Sequence, residues 1–448
     1  MEKTDILIIG GGPAGFTCAL SAHNTHPKKK ITLIRKDKIA SIPCGIPYVL
    51  STLEKPEDNI LGDTPLVNKD IKVIIDNIVD FKDKKAITAT GEEIEYEKLV
   101  LATGSYPGIL PIKGAELDGV YTIKKNFDFL KELKGKIKNV NNVVIVGGGF
   151  IGFEVADELL KLDKKVTIVE IADHCLGVAF DDDFCELAEA EIRDIGVDVL
   201  TCRKVKEIKG KNQVSSVILD DGTKLNAEMV IISVGYHPNI ELAEKLGLTI
   251  GKSGAIWVNE YMRTSNPDVF AVGDCAEKKE FFSREAMKLM LASTAMAEGR
   301  LAGSNLYNLK VVREFKGTLG TVSTQFGKLS LGGCGLTEKQ AKNLGFNYIV
   351  GNAEAPDRHP GKIADASKLK VKLIFSSPYS HTLLGGQIAG GKSVGEMTNI
   401  LSVLIQKGFK DIEIDTLQIG THPLLTSSPI AYPIIQASVD AILKRHKE

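Results

Sequence analysis

Two stretches of the chain share one pattern of apolar and glycine positions. Residues 5–9 and 142–146 are each apolar after their first residue, and each is followed by a glycine-rich turn and a helix-like stretch. A continuous apolar run of this length is typical of a strand buried in a parallel sheet. The pattern therefore predicts two strand–turn–helix units, one at the start of the chain and one further along it.

The first glycine turn has the spacing Gly10-x-Gly12-x-x-Gly15. Glycines at these positions let the backbone turn tightly, approach a pyrophosphate closely and pack the helix against the strand. The start of the helix then offers N–H groups and the positive end of its dipole to the phosphates. We therefore expect a dinucleotide site whose contacts are Gly10, Gly12, Pro13, Ala14 and Gly15.

The acid that usually holds the ribose of such a dinucleotide is missing after the next strand. Residues 31–34 have a strand-like pattern, and the chain continues with Arg35, Lys36 and Asp37. Either Asp37 takes the place of that acid, or the adenosine end is held in another way, with Arg35 as a candidate contact. The sequence leaves both alternatives open.

The second glycine turn carries the complete fingerprint, because the strand at residues 165–169 ends in Glu170. A carboxylate at this place accepts hydrogen bonds from the ribose hydroxyls and repels a 2′-phosphate, so NADH is favoured over NADPH. Two such units in one chain suggest an enzyme that binds FAD and NAD together. The candidate contacts at the second turn are Gly147, Gly149, Phe150, Ile151, Gly152 and Glu170.

Other stretches predict the elements around these two units. Residues 70–79 and 370–375 have strand-like patterns, and residues 82–96 predict a polar hairpin. The loop after the second strand contains Cys44, and we expect a helix to begin beyond it. The N-terminus of that helix would lower the pKa of the Cys44 thiol.

Composition and charge exclude several classes of protein. With 448 residues, 43% of them apolar and 25% charged, the chain has the balance of a multidomain globular protein. A net charge of −1 gives no reason to expect nucleic acid or an anionic membrane as the main partner. The chain lacks both an apolar run of about 18 residues and an apolar signal region, which predicts a cytoplasmic protein. Its seven cysteines are scattered, so neither a disulfide framework nor a zinc site is expected.

With both fingerprints in place, the chain resembles the pyridine nucleotide–disulfide oxidoreductases. Residues 101–105 and 234–239 resemble the segments by which the chain leaves and re-enters the flavin domain of that family. Residues 264–274 resemble its second flavin motif, in which Asp274 would bind the ribityl chain. Residues 291–295 resemble the helix start that points at the flavin pyrimidine. The resemblance adds as candidate cofactor contacts Ala102, Thr103, Gly104, Gly235, Gly273, Asp274, Ala292, Ser293 and Thr294.

The resemblance also implies the architecture. It implies an α/β fold with two Rossmann-like domains, one for FAD and one for NAD, and a C-terminal α+β dimerisation domain. The FAD-binding domain would comprise residues 1–112 and 239–312, and the NAD-binding domain residues 113–238. Residues 313–448 would form a homodimer and complete the active site of the partner.

The lone Cys44 resembles the single-cysteine branch of the family. That branch contains NADH oxidases, NADH peroxidases, CoA-disulfide reductases and CoA-persulfide or polysulfide reductases. Ser41 stands three residues before the cysteine, one fewer than is usual in the branch. Pro13 stands where the peroxidase and several oxidases have a histidine, which weighs against a peroxidase. Residues 43–48 are more similar to the CoA-disulfide or persulfide reductases of archaea and thermophiles, so CoA is a candidate substrate or bound ligand.

Residues 420–426 resemble the His-Pro element of the wider disulfide reductases rather than the tyrosine segment of CoA-disulfide reductases. This difference puts CoA disulfide itself in doubt. It leaves thiol chemistry plausible, because a histidine is a competent general acid. The resemblance implies that His422 faces the partner's Cys44 and protonates a leaving thiol, with a purely structural histidine as the alternative.

Two further positions each have two interpretations. Phe150 either gates the nicotinamide pocket, as an aromatic does in the family, or simply packs. The stretch Arg358-His359-Pro360 is interpreted as an ordinary exposed loop, with a site for an anionic substrate as the alternative.

The sequence therefore predicts an FAD-dependent oxidoreductase that passes electrons from NADH through FAD to Cys44. From Cys44 they would reach a small disulfide or persulfide, of the CoA type or a polysulfide. One alternative is an NADH oxidase that reduces oxygen while Cys44 cycles through a sulfenic acid. A second is a reductase of a small electron-carrier protein, which would not need Cys44. A third is a non-redox protein in which the cofactors act as conformational ligands.

Overall fold

The computed structural model describes residues 2–313 and 317–447. The strands are, in chain order, β1 Glu2–Ile9, β2 Ile31–Arg35, β3 Lys72–Ile75, β4 Ile78–Lys82, β5 Lys85–Thr88, β6 Glu93–Leu101, β7 Ser105–Pro107, β8 Val120–Thr122, β9 Asn142–Val146, β10 Lys165–Val169, β11 Asp198–Leu200, β12 Val205–Gly210, β13 Val214–Leu219, β14 Lys224–Asn226, β15 Met229–Ile232, β16 Tyr236–Pro238, β17 Val269–Ala271, β18 Lys278–Lys279, β19 Ala286–Met287, β20 Val322–Phe326, β21 Leu329–Gly335, β22 Tyr348–Pro356, β23 Lys368–Ser376 and β24 Leu383–Gly390.

The α-helices are, in the same order, α1 Pro13–Thr25, α2 Thr64–Val67, α3 Phe127–Ile137, α4 Phe150–Leu160, α5 Asp182–Asp194, α6 Glu241–Lys245, α7 Ala292–Asn305, α8 Glu338–Asn343, α9 Val394–Gln406, α10 Asp411–Asp415 and α11 Pro433–Arg445. Both predicted strand–turn–helix units are present, as β1–α1–β2 and β9–α4–β10. The predicted strands near residues 70–79 and 370–375 and the polar hairpin are present as well.

The first of two structural units comprises residues up to Leu110, Tyr121–Val140 and Val234–Thr318. Its main sheet has the order β3-β2-β1-β6-β5-β4, and β17 also pairs with β6. The pairs β2–β3, β1–β2, β1–β6 and β6–β17 are parallel, whereas β5 is antiparallel to both its neighbours. The carboxyl ends of β1 and β6 therefore lie side by side, and the first glycine turn begins at this edge.

Helices α1 and α7 pack unusually closely in this unit because two glycines of α7 face α1. A Cβ atom on Gly299 would lie 2.5 Å from the carbonyl oxygen of Ala14, and one on Gly303 would lie 2.5 Å from that of Cys18. Both obstacles are backbone atoms, which cannot rotate away. The two glycines thus fix the helix that follows the first glycine turn against α7.

The second unit comprises Pro111–Val120, Asn141–Ser233 and the chain from Leu319 onward. Strands β11-β10-β9-β15 form a parallel sheet, and β12-β13-β14 form a small antiparallel one. The C-terminal part contributes an antiparallel sheet of order β20-β21-β24-β23-β22. Strand β8 falls at the boundary between the two units.

A buried lysine joins the parts of the second unit. The side chain of Lys372, on β23, is only 8% exposed and lies 2.6 Å from Asp183 and 2.7 Å from Glu338. The rings of Phe153 and Phe326 also meet edge to face, with their centroids 5.0 Å apart. The antiparallel sheet is therefore tied to α5 and α4 of the second nucleotide fold by both charge and packing.

The boundaries of the units differ from those of the expected domains. Residues 121–140, assigned from the sequence to the NAD-binding domain, belong to the first unit, and the C-terminal block belongs to the second. A division of the chain into three domains by function therefore stays a prediction. Among the described residues, no helix combines the length and the apolar character needed to cross a membrane.

The close packing of α1 and α7 gives a stability prediction. Gly303→Ala should lower the free energy of unfolding by about 1–3 kcal/mol, because the new methyl group would lie 2.5 Å from the Cys18 carbonyl oxygen and 2.9 Å from the Ala22 nitrogen. The measurement is the urea midpoint of the purified protein. Gly395→Ala, on α9, is the control, since a Cβ there meets nothing within 4 Å. Equal midpoints for the two variants would contradict the close packing.

Candidate dinucleotide and thiol sites

The two glycine turns have the same backbone geometry. Gly10 and Gly147 have φ angles of +118° and +108°, which favour glycine. A Cβ on Gly10 would lie 2.0 Å from the carbonyl oxygen of Ala102, and one on Gly147 would lie 2.7 Å from that of Ser233. Each turn therefore begins where the chain passes the end of a neighbouring strand too closely for a side chain.

The second glycine of each fingerprint, Gly12 or Gly149, leaves space in front of a helix. Gly12 and Gly149 are the N-cap residues of α1 and α4, both have extended backbone, and neither supplies a side-chain cap. A Cβ on either would meet nothing within 4 Å. Open space before an uncapped helix N-terminus is what a pyrophosphate needs. The residues therefore fit a dinucleotide at both turns.

The last glycine of each fingerprint packs the helix onto its own turn. A Cβ on Gly15 would lie 2.0 Å from the carbonyl oxygen of Gly10, and one on Gly152 would lie 2.2 Å from that of Gly147. Pro13 and Ala14 occupy the first turn of α1, as Phe150 and Ile151 occupy that of α4.

Arg35 lies beside the first turn, but its guanidinium forms hydrogen bonds to other residues of the chain. It donates to both carboxylate oxygens of Asp63, at 2.6 and 2.7 Å, and to the carbonyl oxygens of Asp37 and Lys38, at 3.0 and 2.9 Å. Its stem packs on Gly11, where a Cβ would lie 2.4 Å from Cδ. Arg35 therefore orders the loop after β2, and its contact with a cofactor stays a prediction.

The segments at residues 101–105 and 234–239 lie together, as the resemblance implied. Thr103 donates its hydroxyl to the carbonyl oxygen of Asn239 at 2.8 Å, and the Asn239 N–H donates to Gly104 at 2.9 Å. Gly104 and Gly235 have φ angles of +71° and +92°. The N–H of Ala102 donates to Ile9 at 2.8 Å, which places this crossing at the edge of the first sheet.

Lys125 lies beside Asp274, one of the predicted flavin contacts, and the sequence analysis missed it. Its ammonium lies 2.6 Å from Oδ2 of Asp274 and 2.9 Å from the hydroxyl of Ser105, which itself donates to Asp274 at 2.8 Å. Burial opposes the charge on Asp274, but Lys125 and Ser105 outweigh it and hold the pKa of the carboxyl below its ordinary value. Asp274 is therefore an ionised acceptor at neutral pH. No motif marked Lys125, because it is distant in sequence from Asp274.

A buried ion pair holds Gly273, the residue before Asp274. The ammonium of Lys278 donates to the Gly273 carbonyl at 2.6 Å and to Glu298 at 3.0 Å, and Glu298 accepts the Gly273 N–H at 2.9 Å. Gly273 has a φ of +76°, which favours glycine. The Lys278–Glu298 pair therefore holds both the N–H and the carbonyl group of a residue in this conformation. The sequence analysis missed this pair as well.

Helix α7 begins at Ala292, with Ser293 and Thr294 in its first turn and without a side-chain cap. Its N–H groups are therefore available to an acceptor. The Thr294 and Thr318 hydroxyls lie 3.4 Å apart beside it.

At the second turn, the carboxylate of Glu170 is held firmly. One oxygen accepts the Gly148 N–H at 2.6 Å, and the other accepts the Ala172 N–H at 2.8 Å. Cys175 packs behind the turn, where a Cβ on Gly148 would lie 2.3 Å from its sulfur. Both bonds fix Glu170 beside the glycine turn, which is where a ribose acceptor is required.

Phe150 is partly exposed and meets the buried ring of Phe180 edge to face, with the centroids 6.0 Å apart. This contact anchors Phe150 without deciding between a gate and plain packing.

Further along α4, Glu154 accepts the Thr324 hydroxyl at 2.9 Å. Burial raises the pKa of Glu154 to about 7, although that hydrogen bond favours the charged form. Glu154 therefore titrates near neutral pH, which its position alone did not reveal.

The prediction of a helix that begins after Cys44 is wrong. The chain forms two successive 3₁₀ helices, Pro43–Gly45 and Pro47–Val49, each beginning with a proline. Because Pro47 lacks an N–H group, an α-helical ladder cannot continue from one turn into the next. The expected influence of an α-helix N-terminus on the Cys44 thiol therefore does not apply. Cys44 is exposed.

The other cysteines divide by exposure. Five are buried, namely Cys18, Cys175, Cys185, Cys275 and Cys334. Burial raises the pKa of Cys18 and of Cys185 to about 12 and that of Cys334 to about 11, and it also raises the pKa of Cys175 and Cys275. Cys202 is exposed and donates to Asp173 at 3.2 Å.

His422 lies in an exposed loop whose hydrogen bonds define its ring. The Leu424 N–H donates to Nδ1 of His422 at 3.2 Å, so the neutral ring carries its proton on Nε2. The carbonyl oxygens of Pro423 and Thr426 lie 3.1 and 3.0 Å from the backbone nitrogen and Nδ1 of His359. The His359 loop and the His422 loop are thus bound to each other, which the sequence did not indicate.

Comparison with known families shows which of them the chain matches. Residues 4–299 match the pyridine nucleotide-disulphide oxidoreductase family, and residues 321–430 match its dimerisation domain. The chain belongs to the pyridine nucleotide-disulphide oxidoreductase family. The predicted family, the α/β fold class and the identity as an FAD-dependent oxidoreductase that uses NAD(P)H are confirmed.

Relatives align over nearly the whole chain. An NADH oxidase of Methanocaldococcus jannaschii is 34% identical over 98% of both chains. A CoA-dependent NAD(P)H sulfur oxidoreductase of Pyrococcus furiosus is 32% identical over 97% of this chain and 98% of its own. Among solved structures, an NAD-dependent persulfide reductase from A. fulgidus is 28% identical, with a TM-score of 0.91 over 99% of this chain and 84% of its own.

The Lys125–Asp274 pair gives a pH-dependent prediction. Lys125→Met should destabilise the protein by about 1.5–3 kcal/mol at pH 7, because it leaves a buried carboxylate without its cation. The folded-state pKa of Asp274 is depressed, so this contribution is complete above about pH 5 and is lost as the pH falls through that depressed value. Urea unfolding at pH 7 and at successively lower pH measures the difference.

Lys124→Met is the matched control, since Lys124 is exposed and its ammonium lies over the ring of Phe129 instead. A Lys125→Met effect that did not diminish at low pH, or that Lys124→Met reproduced, would contradict the ion pair.

Proposed function

We propose that this protein passes electrons from NADH through FAD to Cys44 and then to a small disulfide or persulfide, of the CoA type or a polysulfide. The observation that carries the proposal is the exposure of Cys44 in the unit that contains the first glycine turn, while five other cysteines are buried. Names of the relatives support it, since two of them are a sulfur oxidoreductase and a persulfide reductase.

The proposal assigns the dinucleotides to the two glycine turns. FAD would bind at Gly10, Gly12 and the first turn of α1, with Asp274 accepting from the ribityl hydroxyls. NADH would bind at Gly147, Gly149 and the first turn of α4, with Glu170 accepting from the ribose. Bound at these residues, FAD would supply the hydride acceptor for NADH and the source of two electrons for sulfur.

Cys44 supplies the sulfur chemistry. Its thiolate attacks one sulfur of the disulfide, a Cys44–sulfur bond forms as the substrate S–S bond breaks, and one thiol leaves. Two electrons originating from NADH then cleave the mixed disulfide, which restores the thiolate and releases the second thiol. The exposed position of Cys44 gives a small substrate direct access to it.

His422 of the partner subunit is proposed to act on the leaving thiol. Because the Leu424 N–H donates to Nδ1, the proton of the neutral His422 ring is on Nε2, from which it could hydrogen-bond a departing thiolate. This role needs a homodimer, formed by residues 313–448, which the match to a dimerisation domain supports. We further propose a cytoplasmic protein that acts on small molecules rather than on nucleic acid or membranes.

A second function is favoured by the relative from M. jannaschii, which is named NADH oxidase. In that case oxygen is the acceptor, and Cys44 cycles through a sulfenic acid. A reductase of a small electron-carrier protein is the third candidate, and it makes no use of Cys44.

Cys44→Ser tests the thiol mechanism. An anaerobic titration of the oxidised wild type should consume two NADH per subunit, with a long-wavelength thiolate-to-flavin absorbance band midway. The variant should consume one and show no band, because serine cannot store an electron pair. Turnover of CoA disulfide and CoA persulfide should fall by at least a hundredfold, while reduction of ferricyanide continues.

The wild type is first treated with CoA disulfide, so that Cys44 is oxidised at the start. Full turnover of these substrates by Cys44→Ser would overturn the thiol mechanism. Oxygen consumption that depends on Cys44, without disulfide turnover, would select the oxidase. Carrier reduction that is independent of Cys44 would select the third candidate.

Glu170→Gln tests the nicotinamide assignment. Loss of the negative charge should lower the ratio of kcat/KM for NADH to that for NADPH by about tenfold, which corresponds to about 1.4 kcal/mol. Steady-state rates with ferricyanide measure the ratio. Glu186→Gln, an exposed carboxylate on α5, is the control and should leave it unchanged. An unchanged ratio in Glu170→Gln would remove Glu170 from the cofactor site.

A further inference from the structure

The turn that contains Cys44 has little structure of its own. Its backbone hydrogen bonds are those from Gly45 to Ile42, at 3.1 Å, and from Ile46 to Pro43, at 3.3 Å. A 3₁₀ turn of three residues has poor hydrogen-bond geometry and does not hold itself in place. The position of the sulfur therefore depends on what packs against the turn.

Asn59 packs against it on one side. Its side chain is buried, with 3% of the residue exposed, and its Nδ2 donates to the carbonyl oxygen of Ile42 at 3.0 Å. The backbone carbonyl of Asn59 accepts the Ile42 N–H at 3.0 Å. Both polar groups of the Ile42 backbone are thus bound to this one residue. Ser41 and Ile60 form the adjoining antiparallel bridge.

The same carboxamide also meets the other side of the cysteine. A Cβ on Gly45 would lie 2.0 Å from Oδ1 of Asn59 and 2.9 Å from its Cγ. The φ of Gly45 is not in the left-handed region, so glycine is required there for space rather than for conformation. The amide of Asn59 therefore touches residues before and after Cys44.

A different residue holds the far end of the loop. Lys134, on α3, donates to the carbonyl oxygens of Val49 and Leu53, both at 2.8 Å. It caps the second 3₁₀ turn. Asn59, in contrast, contacts the cysteine turn itself, through Ile42 and Gly45.

We propose that Asn59 is the positioning residue that fixes the Cys44 sulfur, by holding Ile42 through a hydrogen bond and Gly45 through close contact. The inference rests on the proposed function, in which that sulfur must meet both the flavin and the substrate. A neutral carboxamide suits this place because its donor faces a carbonyl. An aspartate would turn an oxygen toward the Ile42 carbonyl, where neither group can donate.

Asn59→Ala and Asn59→Asp test the proposal in the FAD-loaded protein, beside wild type. In both variants FAD content, ferricyanide reduction and the KM for NADH should stay within twofold of wild type. Turnover of CoA disulfide should fall by tenfold or more, and the thiolate-to-flavin band should lose at least half of its intensity. Asn68→Asp, at an exposed amide in the same unit, is the control and should change none of these.

A double variant tests whether Gly45 and Asn59 act through one contact. Gly45→Ala alone should reduce the band and the turnover, because the new methyl group meets the Asn59 amide. Asn59→Ala/Gly45→Ala should be no worse than Gly45→Ala, since the shortened side chain leaves room for that methyl group. Additive losses would show that the two residues act independently and would overturn the proposal.

A separate readout keeps the inference testable if the proposed function fails. In a Cys202→Ser background, Cys44 is the exposed thiol among the described residues, and its alkylation by iodoacetamide reports on its surroundings. Asn59→Asp should slow alkylation at neutral pH at least threefold, because a neighbouring carboxylate disfavours the thiolate.

The outcomes separate the two ideas. Full disulfide turnover by Cys44→Ser overturns the proposed function, while slowed alkylation in Asn59→Asp still supports the position of Asn59. An unchanged band and unchanged alkylation overturn the inference whatever the substrate. Loss of FAD in both Asn59 variants also overturns it, because Asn59 would then serve the folding of the whole unit.

Discussion

The close approach of backbone to backbone at the glycine turns is the constraint on which both nucleotide folds depend. Gly10 and Gly147 pass so near the end of the adjacent strand that a methyl group would enter a carbonyl oxygen. The same approach brings an uncapped helix N-terminus to the edge of each sheet. Sheet order, the helix start and open space for a pyrophosphate are therefore one arrangement, repeated in two units of the same chain.

Features that depend on neighbours in sequence could be predicted, whereas features that depend on distant pairs could not. Strands β9 and β10 have the predicted bounds, because an apolar run and a glycine turn determine them locally. Lys125 and Asp274 meet only in the folded unit, and so do Lys278 and Glu298. The helix expected after Cys44 failed for a local reason, since Pro43 and Pro47 limit it to two short turns.

Charged side chains hold two of the predicted flavin contacts, Gly273 and Asp274. Asp274 is held ionised by Lys125, and the peptide before it is clamped by Lys278 and Glu298. The Cys44 turn, by contrast, is contacted by the neutral amide of Asn59, while Lys134 donates to two backbone carbonyl oxygens further along the loop. Charged side chains thus hold the residues that would bind FAD. A neutral amide contacts the turn of Cys44, the residue that would react.

Gly299 and Gly303 have a mechanical consequence. At these two positions α1 and α7 meet backbone to backbone, which limits how far one helix can slide along the other. Helix α1 begins at the first glycine turn, and α7 begins at the residues predicted to face the flavin pyrimidine. The separation between the two helix starts, and with it the length of cofactor that could span them, is therefore set by the missing side chains of two glycines.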